Sequence, residues 1–397
     1  MPENLIQSGS TEKRAQKRPR LAVLDGLRLV AALMVVFCHY TASNDAWAQP
    51  AIKLFPQLHR VTQYTWLGVE VFFLISGFVI CMSSWGKKLG DFVVSRVTRL
   101  YPAYWAALIL AVAVISLFPE VRHVQNWTQV AVNFTMLQEG VGVRSVDGVY
   151  WTLFVEMKFY LLFAVVISRG LTYRRCVLFC GLWTVASLVA QVAPNDVLLM
   201  WTEPNFTPYF VAGIALYLVY RFGPNLLLGG IVLISFLLAE LQVSRRVLRL
   251  GYDTTNVHHA IHVWPAQLII AAAFLFMTML ALGWFNRIQW RWLTTAGAMT
   301  YPLYLLHQAI GLTVLHHFRN RVSALPLVLG VVAAMLLLSW LVHRFVEQPV
   351  SKWLGKAMKR AMTDLRKHSD PPVVEHRQAP PAVPVQREEP AGAFQRS

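Results

Sequence analysis

The chain has 397 residues, of which 56% are hydrophobic and 14% charged, with 14 Trp, 22 Phe and 13 Tyr and a mean hydropathy of +0.47. A soluble domain carries about a quarter charged residues, so this composition excludes a disordered chain, a disulfide scaffold, a collagen and an ordinary cytosolic enzyme. The formal charge of +16 does not point to nucleic acid, because it is spread over the N-terminal arm, short loops and the C-terminal stretch, as in the cytoplasmic loops of a polytopic membrane protein.

The N-terminal arm, residues 1–20, holds Lys13, Arg14, Lys17, Arg18 and Arg20 with no cleavable apolar core before them, so it reads as a cytoplasmic arm and not a signal peptide. A bilayer core of about 30 Å needs roughly 20 apolar residues per helix. Ten segments approach that length: 21–41, 65–84, 102–119, 150–168, 174–193, 206–220, 225–242, 264–284, 296–317 and 325–345. The fold class predicted is an all-α polytopic bundle of about ten transmembrane helices. Of these, 206–220 is short and follows the polar Thr202-Glu203-Pro204-Asn205. Counting from an inside N-terminus, the inside loops hold Lys87 and Lys88, Arg96 and Arg99, Arg169, Arg174 and Arg175, and Arg287 and Arg291. The flank 351–368, with Lys352, Lys356, Lys359 and Arg360, also falls inside, which places both termini in the cytoplasm. Arg245, Arg246 and Arg249 break the pattern in an outside loop. The stretch 120–149 is long enough for an interfacial helix around Asn126–Leu137, and 369–397, rich in Pro, Gln, Glu and Arg, reads as a disordered tail. Cys38, Cys81, Cys176 and Cys180 read as free thiols or small apolar residues.

Ionisable groups inside a membrane are costly, so each is a candidate for function. Arg28 and His39 are eleven residues apart in the first segment, about 16 Å and close to three turns of helix, so they face the same way. Arg28 falls in the cytoplasmic half and His39 in the outer half. The plainer alternative is a snorkelling or Asp25-paired Arg28 and an interfacial His39. Glu70, in Gly68-Val-Glu-Val-Phe-Phe-Leu-Ile-Ser-Gly77, enters from the outside to a similar depth, as does Glu156 in Tyr150-Trp-Thr-Leu-Phe-Val-Glu156. Ser76 and Gly77 read as a close-packing surface rather than a nucleophile. Three groups able to move or polarise protons are thus expected to converge on the outer half, and activation of a hydroxyl needs such a set. Arg96 and Arg99 are neighbours on one helix face and suit phosphate by geometry and charge, although a plain positive flank is the simpler alternative. His307 sits mid-membrane after Pro302, which is expected to kink its helix. His258, His259 and His262 have metal-like spacing but no acidic partners, so no metal is expected.

Together these pieces resemble the acyltransferase 3 family of membrane acyltransferases over roughly residues 21–350. Leu24-Asp-Gly-Leu-Arg28 followed by His39 is similar to its Arg-to-His signature, and Phe72-Phe-Leu-Ile-Ser-Gly-Phe78 to its second-helix motif. Arg96-x-x-Arg99 with Pro102, Trp151-Thr-Leu-x-x-Glu156, Thr300-Tyr-Pro-Leu-Tyr-Leu-Leu-His307 and Glu347-Gln-Pro349 resemble its later motifs, with Gln348 where the family often has Arg. The resemblance implies a cell (inner) membrane O-acyltransferase with no bound cofactor. It would move an acyl group, most commonly acetyl from acetyl-CoA, to a hydroxyl of a carbohydrate or small molecule. In that reading His39 is the base, Glu70 and Glu156 share the catalytic centre, and Arg28, Arg96 and Arg99 serve the acyl-CoA. Trp151, Tyr304 and His307 support them. The rival from another class is a transporter or flippase of a glycan or lipid intermediate, which would predict repeated halves; the chain has no internal repeat.

Overall fold

The computed structural model describes residues 21–253 and 261–369. The predicted basic arm 1–20, the tail beyond Ser369, and His258 and His259 lie outside the described residues. Among the described residues all regular structure is helical. In chain order the helices are α1 (Ala22–Thr41), α2 (Ala51–Leu54), α3 (Pro56–Thr62), α4 (Gly68–Ser84), α5 (Leu89–Leu117) and α6 (Trp127–Asn133). There follow α7 (Trp151–Ser168), α8 (Tyr173–Val192), α9 (Asp196–Thr202), α10 (Thr207–Phe222) and α11 (Leu226–Asp253). The last five are α12 (Val263–Ala281), α13 (Arg291–Leu306), α14 (Ala309–Phe318), α15 (Ala324–Val342) and α16 (Gln348–Ser369).

Eight of the described helical stretches are long and apolar enough to cross a bilayer, against the ten segments expected. The difference has two physical sources. The segment expected at 206–220 is α10, 16 residues long, and every residue from Thr207 to Val219 is buried. A helix apolar all round belongs inside the bundle, and α10 forms its centre. The segment expected at 296–317 is not one helix: α13 and α14 are separated at His307-Gln308. Pro302 lies inside α13 without ending it. By contrast α8 turns Leu178, Leu182 and Val185 outward, and α15 does the same with Leu325, Leu329 and Leu337. Such leucine and valine faces suit lipid.

Two other boundaries move. The segment expected at 225–242 continues to Asp253, so Arg245, Arg246 and Arg249 are helical residues of α11 and not loop charges. The basic flank 351–368 is α16, which follows α15 through a π-turn at His343–Glu347. It runs back along α5, with Ser351 Oγ donating to the Thr98 carbonyl at 2.7 Å and Met362 against Gly90.

Small residues let the backbones of the centre meet. A Cβ on Gly213 of α10 would lie 2.3 Å from the Leu74 carbonyl oxygen, and one on Gly77 of α4 would lie 2.2 Å from that of Phe210. Gly77 is therefore the close-packing residue expected. At Gly68 the obstacle is the Ala31 carbonyl of α1, at 2.4 Å. Where lipid supplies no hydrophobic drive between helices, such backbone proximity is what holds them. Because backbone cannot swing aside, Gly77→Ala and Gly213→Ala are each expected to cost about 1–3 kcal/mol through overpacking. The measurement is thermal unfolding of the purified variants in detergent, which should melt below wild type.

Candidate active site

An elongated cavity of about 130 Å³ opens between α1, α4, α5, α7 and α13. Along α4 its wall runs from Val69 to Ile80, about 16 Å at 1.5 Å per residue. Helix periodicity puts Val69, Phe72, Phe73, Ser76, Val79 and Ile80 on one stripe, as spacings of three and four require. One end is cationic. Arg28, Arg96 and Arg99, which the sequence places on two different segments, line the same space. Arg28 is 3.3 Å from Asp25. Arg99 donates to Glu347 Oε1 at 2.6 Å, and the π-turn aims that glutamate inward so that His343 Nδ1 meets its other oxygen at 2.8 Å. Arg96 bonds only hydroxyls, Ser95 at 3.0 Å and Ser83 at 3.3 Å, and packs against the rings of Phe92 and Tyr160. It is in no ion pair among the described residues.

Midway along, Ser76 Oγ donates to Glu156 Oε1 at 2.7 Å, so Glu156 faces the cavity with Ser76 as its partner. At the far end Thr152 and Tyr304 share a hydrogen bond of 2.8 Å. Tyr304 stacks edgewise on Phe72 and lies 5.7 Å, ring to ring, from His307. Trp151 packs on Phe206, outside the cavity lining.

The two histidines meet beside Tyr304 and, like Trp151, do not line the cavity. His39 Nδ1 is 3.2 Å from His307 Nε2 and 3.0 Å from the Val35 carbonyl oxygen, while His307 Nδ1 is 2.8 Å from the Tyr304 carbonyl oxygen. A carbonyl only accepts. The proton of neutral His307 therefore sits on Nδ1, and its Nε2 offers a lone pair. By the same reasoning His39 carries its proton on Nδ1, shared between Val35 O and His307 Nε2, and keeps the lone pair on Nε2. His307 in this way fixes the tautomer of His39.

The break between α13 and α14 brings His307 to this position. The Ala309 N–H donates to Asp147 Oδ2 at 2.8 Å, outside the helical ladder. The His307 carbonyl accepts from the Tyr40 hydroxyl at 2.8 Å as well as from Gly311 N–H at 3.1 Å. Asp147 Oδ1 takes a second N–H, that of Val149, at 3.1 Å. Burial pushes the Asp147 carboxyl up to about 6, opposed by the Ala309 and Val149 N–H groups and by Arg122, so it is ionised at neutral pH. Nothing in the sequence singles out Asp147, because its partner lies 162 positions away.

Glu70 does not join this set. It is fully buried, absent from the cavity lining, and ion-paired with Arg246. Arg246 itself lies over the rings of Trp66 and Phe206, at 4.4 and 5.2 Å. The expected convergence of His39, Glu70 and Glu156 thus resolves into three separate partnerships, with His307, Arg246 and Ser76. Arg246 is the functional-looking charge that loop counting missed. About three helix turns past the apolar stretch do not announce themselves by hydropathy. No group of three or more metal-ligating side chains occurs among the described residues.

A family model described as an acyltransferase domain matches residues 21–344. The chain belongs to the acyltransferase 3 family. It is similar to "Acyltransferase MdmB" of Streptomyces mycarofaciens, 26% identical over 85% of this chain and 93% of that protein. "Exopolysaccharide production protein ExoZ" of Rhizobium meliloti is 31% identical over 37% of this chain and 48% of its own length. "Peptidoglycan O-acetyltransferase OatA" of Listeria monocytogenes is 28% identical over 35% of this chain and 23% of its own length. No solved structure matches significantly. This acyltransferase is a multi-pass membrane enzyme, and the cavity is its candidate active site.

Removing one partner of a buried ion pair leaves the other uncompensated, at about 3–5 kcal/mol. Arg246→Ala in this acyltransferase is therefore expected to lower the melting temperature strongly. Glu70→Gln in the same chain should recover part of the loss, because the orphaned charge is then gone. Differential scanning fluorimetry of the two variants in detergent checks this.

Proposed function

We propose that this acyltransferase transfers an acyl group, acetyl from acetyl-CoA, onto a hydroxyl of a cell-surface or exported carbohydrate, with His39 as the base. The observation that carries the reading is the shape of the cavity: elongated, cationic at one end, and bounded at the other by the Tyr304 wall of the His39–His307 pair. An acyl-CoA has that same polarity, with phosphates at one end and a thioester at the end of a long neutral arm. The names of two relatives, an O-acetyltransferase of peptidoglycan and an exopolysaccharide production protein, support the acceptor class.

In this reading the phosphates rest on Arg96, Arg99 and Arg28 at the cytoplasmic face, and the pantetheine arm passes Ser76 and Glu156 toward His39. The acceptor hydroxyl gives its proton to the lone pair on His39 Nε2 as its oxygen bonds to the thioester carbonyl carbon. The tetrahedral adduct then breaks its C–S bond, and the sulfur leaves and takes the proton from the imidazolium. His307 accepts from His39 Nδ1 throughout and keeps the ring aimed. Glu70 takes no part in this chemistry; with Arg246 it ties α4 to α11.

His39→Ala is expected to lower turnover by roughly 10²- to 10⁴-fold, the worth of a positioned base, with an unchanged elution profile in detergent. His39→Gln should fare no better, since an amide cannot take the proton. Turnover near wild type in either variant would sink the mechanism.

The donor side has its own signature. Arg96 has no carboxylate partner to release, so Arg96→Ala should mainly raise KM for acetyl-CoA, by roughly tenfold or more for a charge-assisted contact. Arg96→Lys should recover part of this, a point charge replacing a fork. Arg99→Ala should raise the same KM and also destabilise the protein, because Glu347 loses its partner. Titrating donor and acceptor separately in proteoliposomes decides it: a rise confined to the acceptor KM contradicts a CoA site. Sidedness is read by single cysteines in a chain whose four native cysteines are replaced. One at Asp196 should react with an impermeant reagent from outside and one at Lys88 should not.

A further inference from the structure

His307 owes its position to a discontinuity in a membrane-embedded helix, and a discontinuity needs partners for the backbone groups it frees. Asp147 supplies them from a different part of the chain. Its side chain is fully buried at the start of the 3-10 turn Gly148–Tyr150. Each of its oxygens takes one N–H: Val149, two residues on, and Ala309, at the first turn of α14. The first bond is a local turn that an Asp or Ser makes anywhere. The second spans 162 residues and joins the loop before α7 to the residue two beyond His307.

The site is built around that second bond. The Tyr40 hydroxyl reaches the His307 carbonyl because Gly311 has no side chain; a Cβ there would lie 1.8 Å from the Tyr40 oxygen. Gly148 is equally constrained, since a Cβ on it would come within 2.5 Å of Gln308 Oε1 and 3.0 Å of Arg122 Nη2. Two glycines therefore clear the space in which one carboxylate and one phenol hold the break. Tyr40 is the residue after His39, so the same phenol also ties α1 to the break that carries His307.

We propose that Asp147 is a positioning residue for acyl transfer: by holding the N-terminus of α14 it fixes His307, and through His307 it fixes the tautomer and aim of His39. The inference rests on the reading of His39 as the base. Asp147 itself touches neither cavity nor substrate. The ionised form suits the task because it offers acceptors on both oxygens, and the Ala309 and Val149 N–H groups with Arg122 oppose the upward push of burial.

The test is a double-mutant cycle on the full-length protein in detergent, assayed with acetyl-CoA and a soluble carbohydrate acceptor that wild type is first shown to acylate. Asp147→Asn keeps one acceptor oxygen and replaces the other by a donor that opposes an N–H. Asp147→Ser keeps the local turn to Val149 and loses the reach to Ala309, so it preserves the folding role of the loop. Both are expected to lower kcat roughly ten- to hundredfold, as for one charge-assisted hydrogen bond, with both KM values near wild type. In a His307→Ala background Asp147→Ser should cost nothing further, because the residue it acts through is gone. Multiplicative losses in the double variant, or wild-type kcat in folded Asp147→Ser, would overturn the proposal. His39→Ala run alongside separates the two levels. If that variant is active, the reading of the base fails; if it is inactive while Asp147→Ser is fully active, only the role of Asp147 fails.

Discussion

A polar group inside a membrane bundle must find its partner within the protein, and the architecture around the cavity follows from that requirement. Lipid offers no hydrogen bonds, so an unpaired backbone group costs several kcal/mol. At the break between α13 and α14, Asp147 takes up the Ala309 N–H, and Tyr40 adds a second donor to the His307 carbonyl. The same rule explains the π-turn after α15, which turns Glu347 toward both Arg99 and His343. It explains too why Glu70, fully buried in α4, has Arg246 against it.

How much of this the sequence discloses depends on whether a feature is local. Arg28 and His39 could be placed on one helix by counting residues, and Arg96 with Arg99 by their spacing of three. All three arginines line one cavity. Hydropathy reaches each of the eight described helical stretches long and apolar enough to cross a bilayer, but it treats length as the whole criterion. It could not tell that α10 is short because it is wrapped on all sides, nor that α11 continues for a further eleven residues beyond position 242 as a polar helix. Loop counting consequently puts Arg246 outside the helix and leaves the partner of Glu70 unseen. Pro302 was the visible reason for a kink, yet the helix runs through it and breaks at His307-Gln308, where no residue type marks the place. The acceptor that meets the Ala309 N–H there comes from Asp147, and contacts across more than a hundred residues leave no periodicity to read.

Partners of opposite character serve the two ends of the cavity. At the cationic end the arginines are held loosely enough to take a ligand: Arg99 is 40% exposed on its side chain and Arg28 25%. Arg96 is tethered by hydroxyls, which compete weakly with a phosphate. Glu347 and Asp25 offset part of the like-charge repulsion among three cations that share one space. Were every arginine locked in a bidentate pair with a carboxylate, an anionic ligand would have to break that pair before it could bind.

At the other end the orienting group is neutral. On the proposed mechanism a carboxylate beside His39 would fix its tautomer equally well, but it would bury a charge next to the reacting atoms, and the penalty for an ion taken out of water is several kcal/mol even after relaxation. His307 does the same work with a lone pair and adds no net charge while His39 is unprotonated. The negative charge is moved one step outward, to Asp147, where three polar groups, Ala309 N–H, Val149 N–H and Arg122, stabilise it. On the proposed mechanism a proton taken by His39 then meets a neutral neighbour, and the charge appears only while the acyl group is in transit. On that mechanism a neutral imidazole gives the base its orientation without a permanent ion beside it, and the carboxylate acts on the backbone that carries that imidazole.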